Sequence, residues 1–187
     1  MTAYDDALKF VLRWEGGKVD DPADRGGRTA YGITQATYDA WRAGKPTRDV
    51  WGITRAEVGA IYRTRYWDAV NGDGVAEVRP EFAICVFDAA VNHGVGTSAK
   101  MFQRTVRTEV DGAIGKVSLS CLRLRLMAMG ERTLLEVLLE RRRGLYQALL
   151  LKNPALRAFR NGWRNRLNDL CTHVGIEPVW DDLPPAA

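Results

Sequence analysis

The chain is poor in cysteine and histidine and has no long apolar run, and each shortage removes a class of protein. Cys85, Cys121 and Cys171 are far apart and form no CxxC pair. So few, so scattered, they exclude a disulfide framework and are expected to be reduced, buried thiols in a chain made in the cytoplasm. His93 and His173 are the only histidines and match no HExxH-type spacing. A zinc hydrolase would have to recruit carboxylates in their place, so neither metal nor cofactor is expected. No apolar run reaches the roughly 18 residues that span a bilayer, and stable membrane insertion is not expected. The opening Met1-Thr2-Ala3-Tyr4-Asp5-Asp6 is acidic and lacks the apolar core of a secretory signal, so a target outside the cytoplasm would require another protein for delivery. Sustained period-two alternation is missing too, which excludes β-sandwiches and barrels.

What is present is ordinary in amount and uneven in placement. Hydrophobic residues make up 46% and charged residues 27% of 187 residues, which suits one compact unit and excludes disordered and fibrous classes. The net charge of +4 comes from one region: residues 121–170 hold eleven Lys+Arg against four Asp+Glu, whereas residues 1–120 hold sixteen of each. An anionic partner is implied, either nucleic acid, an anionic membrane or bacterial cell wall. With no zinc-finger spacing, RNP-like segment or helix-turn-helix signal, nucleic acid is not expected. Arg141-Arg142-Arg143 reads first as a solvated helix face and second as an attraction for an anionic polymer.

The apolar spacing is helical almost throughout. Thr2 can cap a first helix carrying Ala7, Leu8, Val11 and Leu12, stopped by Gly16-Gly17. Residues 18–34 are rich in Asp, Gly, Pro and Thr and read as a long loop or a small irregular hairpin. Thr34 opens a helix through Trp41. Thr54 and Glu57 form a capping box for a helix that places Val58, Ile61, Tyr62 and Tyr66 on one side and ends near Gly72. A strongly apolar helix after Pro80 closes at His93-Gly94, and another begins near Thr97. Asp111–Gly115 reads as a tight turn, and helices are expected at about 118–129, 132–151 and 155–173. The fold class is all-α, with at most one small hairpin after the first helix. Three regions are expected: 1–80, 81–175 and a tail, 176–187, with the first two packed into one globule.

Glu15 is the most informative residue. It follows Leu12, Val11 and Leu8 by three, four and seven positions, so it lies on or beside the apolar face. It also stands in the last helical turn, where the macrodipole favours Lys or Arg. Both circumstances disfavour the charged form, so a partly buried carboxyl here is expected to hold its proton more tightly than usual. A general acid for glycosidic cleavage needs that property. Asp20, Asp21, Asp24 and Thr29 follow on a loop whose Gly26 and Gly27 allow close approach of a ligand. An acid beside a carboxylate or hydroxyl that holds water is the constellation for hydrolysing an acetal. A plain turn or a calcium loop is the other reading, but the EF-hand ligand spacing is missing.

Glu15-Gly16-Gly17, followed by Asp21-Pro22-Ala23-Asp24-Arg25-Gly26-Gly27-Arg28-Thr29-Ala30-Tyr31-Gly32-Ile33-Thr34, resembles the signature of glycoside hydrolase family 108, lysozyme-like N-acetylmuramidases that include many phage endolysins. Tyr66-Trp67, Phe87-Asp88-Ala89-Ala90-Val91-Asn92-His93-Gly94 and Phe102-Gln103 resemble the middle of these proteins. Asp111-Gly112-Ala113-Ile114-Gly115 resembles the turn in their peptidoglycan-binding C-terminal part. Lys18, where the family has an aromatic residue, and Lys116-Val117-Ser118, where it has Pro-x-Thr, depart from the pattern.

The resemblance implies a lysozyme-like fold and cleavage of the β-1,4 bond between N-acetylmuramic acid and N-acetylglucosamine. Glu15 would be the acid, with Asp24 and Thr29 positioning water, although Thr29 comes one residue earlier than in phage-type lysozymes. Tyr31, Trp67, Asn92 and Gln103 would line the sugar groove. The implied partner is bacterial peptidoglycan. An endolysin of this kind is expected to be a monomer, stored in the cytoplasm and released to the wall through a holin. A lytic transglycosylase, which needs only the acid, a non-catalytic wall-binding module and a membrane-disrupting basic helix are the competing readings.

Overall fold

A computed structural model describes residues 1–19 and 28–180. Helix α1 (Ala3–Trp14) starts at a reciprocal cap: the Thr2 hydroxyl accepts from the Asp5 amide, and the Asp5 carboxylate accepts from the Thr2 amide. Tyr4, Ala7, Phe10 and Val11 form its buried stripe. Glu15 is its C-cap, and Gly16, at φ +74°, turns the chain away.

Three two-residue strands follow, β1 (Lys18–Val19), β2 (Thr29–Ala30) and β3 (Ile33–Thr34), paired antiparallel in that order. Val19 lies opposite Thr29, and Ala30 opposite Ile33. This is the small hairpin expected after the first helix, with one strand more. Its tight turn is made by Tyr31 (φ 52°) and Gly32 (φ 71°). Two left-handed residues in succession give the twist that suits a two-residue hairpin, but a bulky side chain rarely adopts that conformation. Asp24, with residues 20–27 as a whole, lies outside the described residues.

Helices α2 (Gln35–Trp41) and α3 (Arg55–Tyr62) start at the capping residues read from the sequence, Thr34 and the Thr54–Glu57 box. The path beyond α3 departs from expectation. Instead of running on to Gly72, it passes through a π-helical turn (Arg63–Trp67) and a 3₁₀ turn (Asp68–Val70). It then reverses at left-handed Asn71 and enters α4 (Gly72–Val78). Gly-Asp-Gly at the start of α4 looks like a turn in sequence. Packing explains the glycine: a Cβ on Gly72 would fall inside the Trp67 indole.

Helix α5 (Pro80–His93) is buried continuously from Phe82 to Ala90 and is the centre of the molecule. It packs against α1, α4, α6 (Val95–Val106) and α8 (Glu131–Lys152). Helix α7 (Lys116–Met129) packs on α4, α6 and α8. The expected 155–173 helix is in two parts, a 3₁₀ segment (Pro154–Phe159) and α9 (Arg160–His173). Buried apolar side chains from Tyr4 to Trp180 form one contiguous cluster. Beyond α9, Ile176 and Trp180 are buried, and the Asn168 carboxamide clamps the Trp180 backbone from both sides. Cys85 and Cys171 are buried and Cys121 half-buried, all as free thiols. Among the described residues, no helix is long and apolar enough to cross a membrane.

The Gly72–Trp67 contact generates a test. Gly72→Ala should destabilise the fold by about 1–3 kcal/mol, the usual cost of overpacking a filled core, read as a lower urea midpoint with an unchanged m-value.

Candidate active site

The C-terminal end of α1 delivers Glu15 to the meeting point of three other elements. Its side chain is 20% exposed, and its Oε1 accepts from Arg166 Nη1 of α9 at 2.7 Å. On the other side lies the β2–β3 turn: a Cβ placed on Gly32 would stand 2.9 Å from Glu15 Oε2 and 2.9 Å from the Tyr62 hydroxyl. A positive φ and close backbone approach together reserve that position for glycine. The Tyr62 hydroxyl donates to the Tyr31 carbonyl at 2.8 Å, tying α3 to the turn. Burial, and after it the charge of Glu15, pushes the Tyr62 hydroxyl well above its ordinary range, so it remains a donor.

Arg166 is held from behind. Asp88, on the central helix α5, has no exposed side-chain surface and accepts from Arg166 Nε at 2.9 Å and Nη2 at 2.7 Å. Its other oxygen accepts from Arg142 of α8. Burial alone would raise the Asp88 carboxyl, but the two guanidinium groups and their hydrogen bonds outweigh it and hold the group below the usual carboxylate range. Arg142 Nε donates to His93 Nε2 at 3.3 Å and its Nη2 to the Tyr146 hydroxyl at 3.3 Å. That hydroxyl donates to Asn92 Oδ1 at 2.8 Å. Glu15, Arg166, Asp88, Arg142, Tyr146 and Asn92 thus form one continuous chain of hydrogen bonds across four helices.

The residues read from the sequence divide accordingly. Glu15, Tyr31 and Asn92 belong to this arrangement. Thr29 sits on β2, half-buried, one residue before the strand turns. Tyr31 is half-buried with the Arg55 guanidinium 4.3 Å from its ring centre. Trp67 is a correction: it has no exposed surface, its indole N–H donates to Asp73 at 2.9 Å, and it packs edge-on to Tyr4 and Phe87. It is a core residue and does not line a groove. Gln103 is corrected likewise. At 1% exposure its carboxamide donates to Asp111 at 2.6 Å and to the Ala113 carbonyl at 3.0 Å, and accepts from Gly112 N–H at 2.8 Å. It is the internal brace of the Asp111–Gly115 turn.

Asp88, Arg142 and Arg166 carried no role in the sequence reading, yet two signals pointed to them. Asp88 is the lone charge in an otherwise apolar helix stretch. Arg142 follows Leu134, Leu135, Leu138 and Leu139 on the buried face of α8 and precedes Tyr146 by four. The Arg141–Arg143 triplet is therefore neither a uniform solvated face nor a uniform polyanion patch: Arg142 is 1% exposed, and Arg143 pairs with Glu140 at 2.7 Å. Arg166 also corrects the electrostatics of Glu15. Arg13, the cation in the last turn of α1, pairs with Asp169, and Glu15 takes its cation from α9, so the carboxyl is not in the uncompensated environment that its place at the helix end suggests. Among the described residues, no three His, Cys, Asp or Glu side chains converge to hold a metal ion.

The buried network makes stability depend on pH. Burial first, and Arg142 second, push His93 down to about 3 from its ordinary 6.5, so its imidazole is neutral in the fold. Between those values the unfolded chain holds the extra proton, and stability falls as pH is lowered from about 6.5. The depressed Asp88 carboxyl acts in the same sense at lower pH, its contribution being lost as acid titrates it. The thermal midpoint should therefore fall steadily from pH 7 to pH 4. His93→Gln should flatten the part of the curve between pH 6.5 and 4, measured by circular dichroism melts.

Comparison with known proteins follows this geometry closely. Residues 8–94 match the model of Glycosyl hydrolase 108, and residues 97–168 match a Predicted Peptidoglycan domain. Glu15 and Asp88 fall in the first stretch, Arg142 and Arg166 in the second. No curated protein matches the chain. Among solved structures, that of Brucella abortus SagA is similar at 31% identity and a TM-score of 0.68, covering 91% of this chain and 92% of that one. With likeness over nearly the whole length of both chains, this protein belongs to the glycosyl hydrolase 108 family, carrying a peptidoglycan domain behind its hydrolase region.

Proposed function

We propose that this peptidoglycan-degrading glycoside hydrolase is an N-acetylmuramidase, cleaving the β-1,4 bond between N-acetylmuramic acid and N-acetylglucosamine with Glu15 as general acid. The observation that carries the reading is the one-sided anchoring of the Glu15 carboxyl. A guanidinium can only donate hydrogen bonds, so the oxygen facing Arg166 serves as an acceptor. The transferable proton then belongs on Oε2, beside the Tyr31–Gly32 turn. There a glycosidic oxygen could take it, because Gly32 contributes no side chain. Proton transfer from Oε2 breaks the anomeric C–O bond as the leaving sugar hydroxyl forms. Asp24 and Thr29 are assigned to hold the attacking water, and Tyr31 and Asn92 to contact sugar.

The division into a hydrolase region (1–80), a helical wall-binding region (81–175) and a tail (176–187) is part of the same proposal. So is an endolysin role: a monomer made in the cytoplasm that meets the wall after holin release. The order of the two matches, hydrolase first and peptidoglycan domain second, supports the division in its sequence of parts, with the change falling at residues 94–97.

Digestion of purified peptidoglycan followed by mass spectrometry tests the chemistry. The wild type should release muropeptides with reducing muramic acid ends. Glu15→Gln should lower turnover about 100- to 10,000-fold, the usual worth of a positioned acid, with its melting curve preserved. Anhydro-muramic ends, lighter by one water, would replace hydrolysis by transglycosylation, and unchanged turnover in Glu15→Gln would remove Glu15 from the role.

A further inference from the structure

The hydrogen-bond chain that holds Glu15 ends at a polar group facing outward. Arg142 has no acceptor atom, so the Tyr146 hydroxyl must accept from it and pass its own proton to Asn92. That fixes the Asn92 carboxamide with Oδ1 inward and leaves Nδ2 as the outward donor. Among the described residues, this nitrogen has no hydrogen-bond partner. Tyr146 is fully buried and begins a column of aromatic rings that leads to the surface. Trp163 lies 5.0 Å from it at 25°, and Phe159 lies 6.1 Å from Trp163 at 23°. Trp163 is half-buried and Phe159 is 57% exposed. A large apolar ring held out to solvent on a rigid stack is unusual where nothing covers it.

This feature is continuous with the candidate active site. Trp163 precedes Arg166 by three residues on α9, and Phe159 precedes it by seven, a rise of about 10 Å. Trp163 is stacked between Tyr146 and Phe159, so the outer face of Phe159, backed by Trp163, and the oriented amide donor together suit a ligand with one apolar face and an acetamido carbonyl. Arg157 and Arg160 flank Phe159 and complement a carboxylate. An N-acetylated hexosamine strand bearing lactyl groups has all of these. A lipid surface would leave the fixed amide without a purpose.

We propose that Asn92, Trp163 and Phe159 form a glycan subsite that takes N-acetylated hexosamine rings of the strand next to the cleavage point, with Asn92 Nδ2 donating to an acetamido carbonyl. The proposal rests on the peptidoglycan reading given above. It extends the substrate-binding surface from the hydrolase region onto α9, and it gives the 97–168 stretch a defined contact with the same strand that Glu15 would protonate.

Calorimetric titration of the full-length Glu15→Gln protein with soluble, peptide-free strands of alternating N-acetylglucosamine and N-acetylmuramic acid tests it, since binding is then independent of turnover. Phe159→Ala in that background should weaken binding about fivefold or more, the loss that marks a side chain as a real contributor to an interface, and Phe159→Trp should restore it. Asn92→Asp retains the acceptor for Tyr146 but replaces the outward donor. It should weaken binding of acetylated strands and lose less on de-N-acetylated ones, inverting the preference of the parent. Melting curves accompany each variant. Affinities equal to the parent's, or a parent that binds no strand, would overturn the subsite. Failure of the wild type to release muropeptides, with these affinity changes present, would overturn the hydrolase reading and leave the subsite standing.

Discussion

A carboxylate with no exposed surface lies between two guanidinium groups at the centre of this protein, and the placement of Glu15 depends on it. Asp88 comes from the central helix, Arg142 from α8 and Arg166 from α9, so one buried anion fixes the relative positions of three helices. Such a group is costly to desolvate and adds little net stability compared with well-packed apolar residues. Its return is geometric. With both oxygens of Asp88 held by arginines, Arg166 is bound through Nε and Nη2, and its Nη1 points at Glu15. Removing Asp88 alone would leave the buried Arg142 without an anionic partner and Arg166 with Glu15 only.

The acid was visible in the sequence because its evidence is local. A carboxylate on the apolar face of an amphipathic helix, in the turn where a cation belongs, can be recognised within fifteen residues. Its partner could not be recognised in that way. Arg166 stands 151 residues away, and only the packing of α9 against α1 and α5 brings it near. A reading of α1 by itself therefore leaves out the cation that the fold brings to Glu15.

The same division runs through the rest of the chain. Capping boxes at Thr2 and Thr54, the glycine after α1 and the continuous apolar run of α5 are short-range features, and the elements they mark are present. Residues 63–78 were misread because tertiary packing overrides local preference there. Position 72 takes only glycine, because the Trp67 indole occupies the space of a side chain there. Trp67 and Gln103 looked like ligands because tryptophan and glutamine often are. In the fold the first fills the core under Tyr4, and the second satisfies a turn from within. Both belong to motif-like stretches, and such stretches preserve structural braces as readily as binding groups.

The distance in sequence between Glu15 and Arg166 also bears on the order in which the protein is made. Glu15 is synthesised 151 residues before the cation that anchors it. Contacts between such remote parts form late, because a long loop must close before they do. A nascent or C-terminally clipped chain ending before α9 would carry all of the 8–94 hydrolase match and still hold an unanchored acid. The order of synthesis thus places the anchoring of Glu15 after almost all of the stretch that matches the peptidoglycan domain.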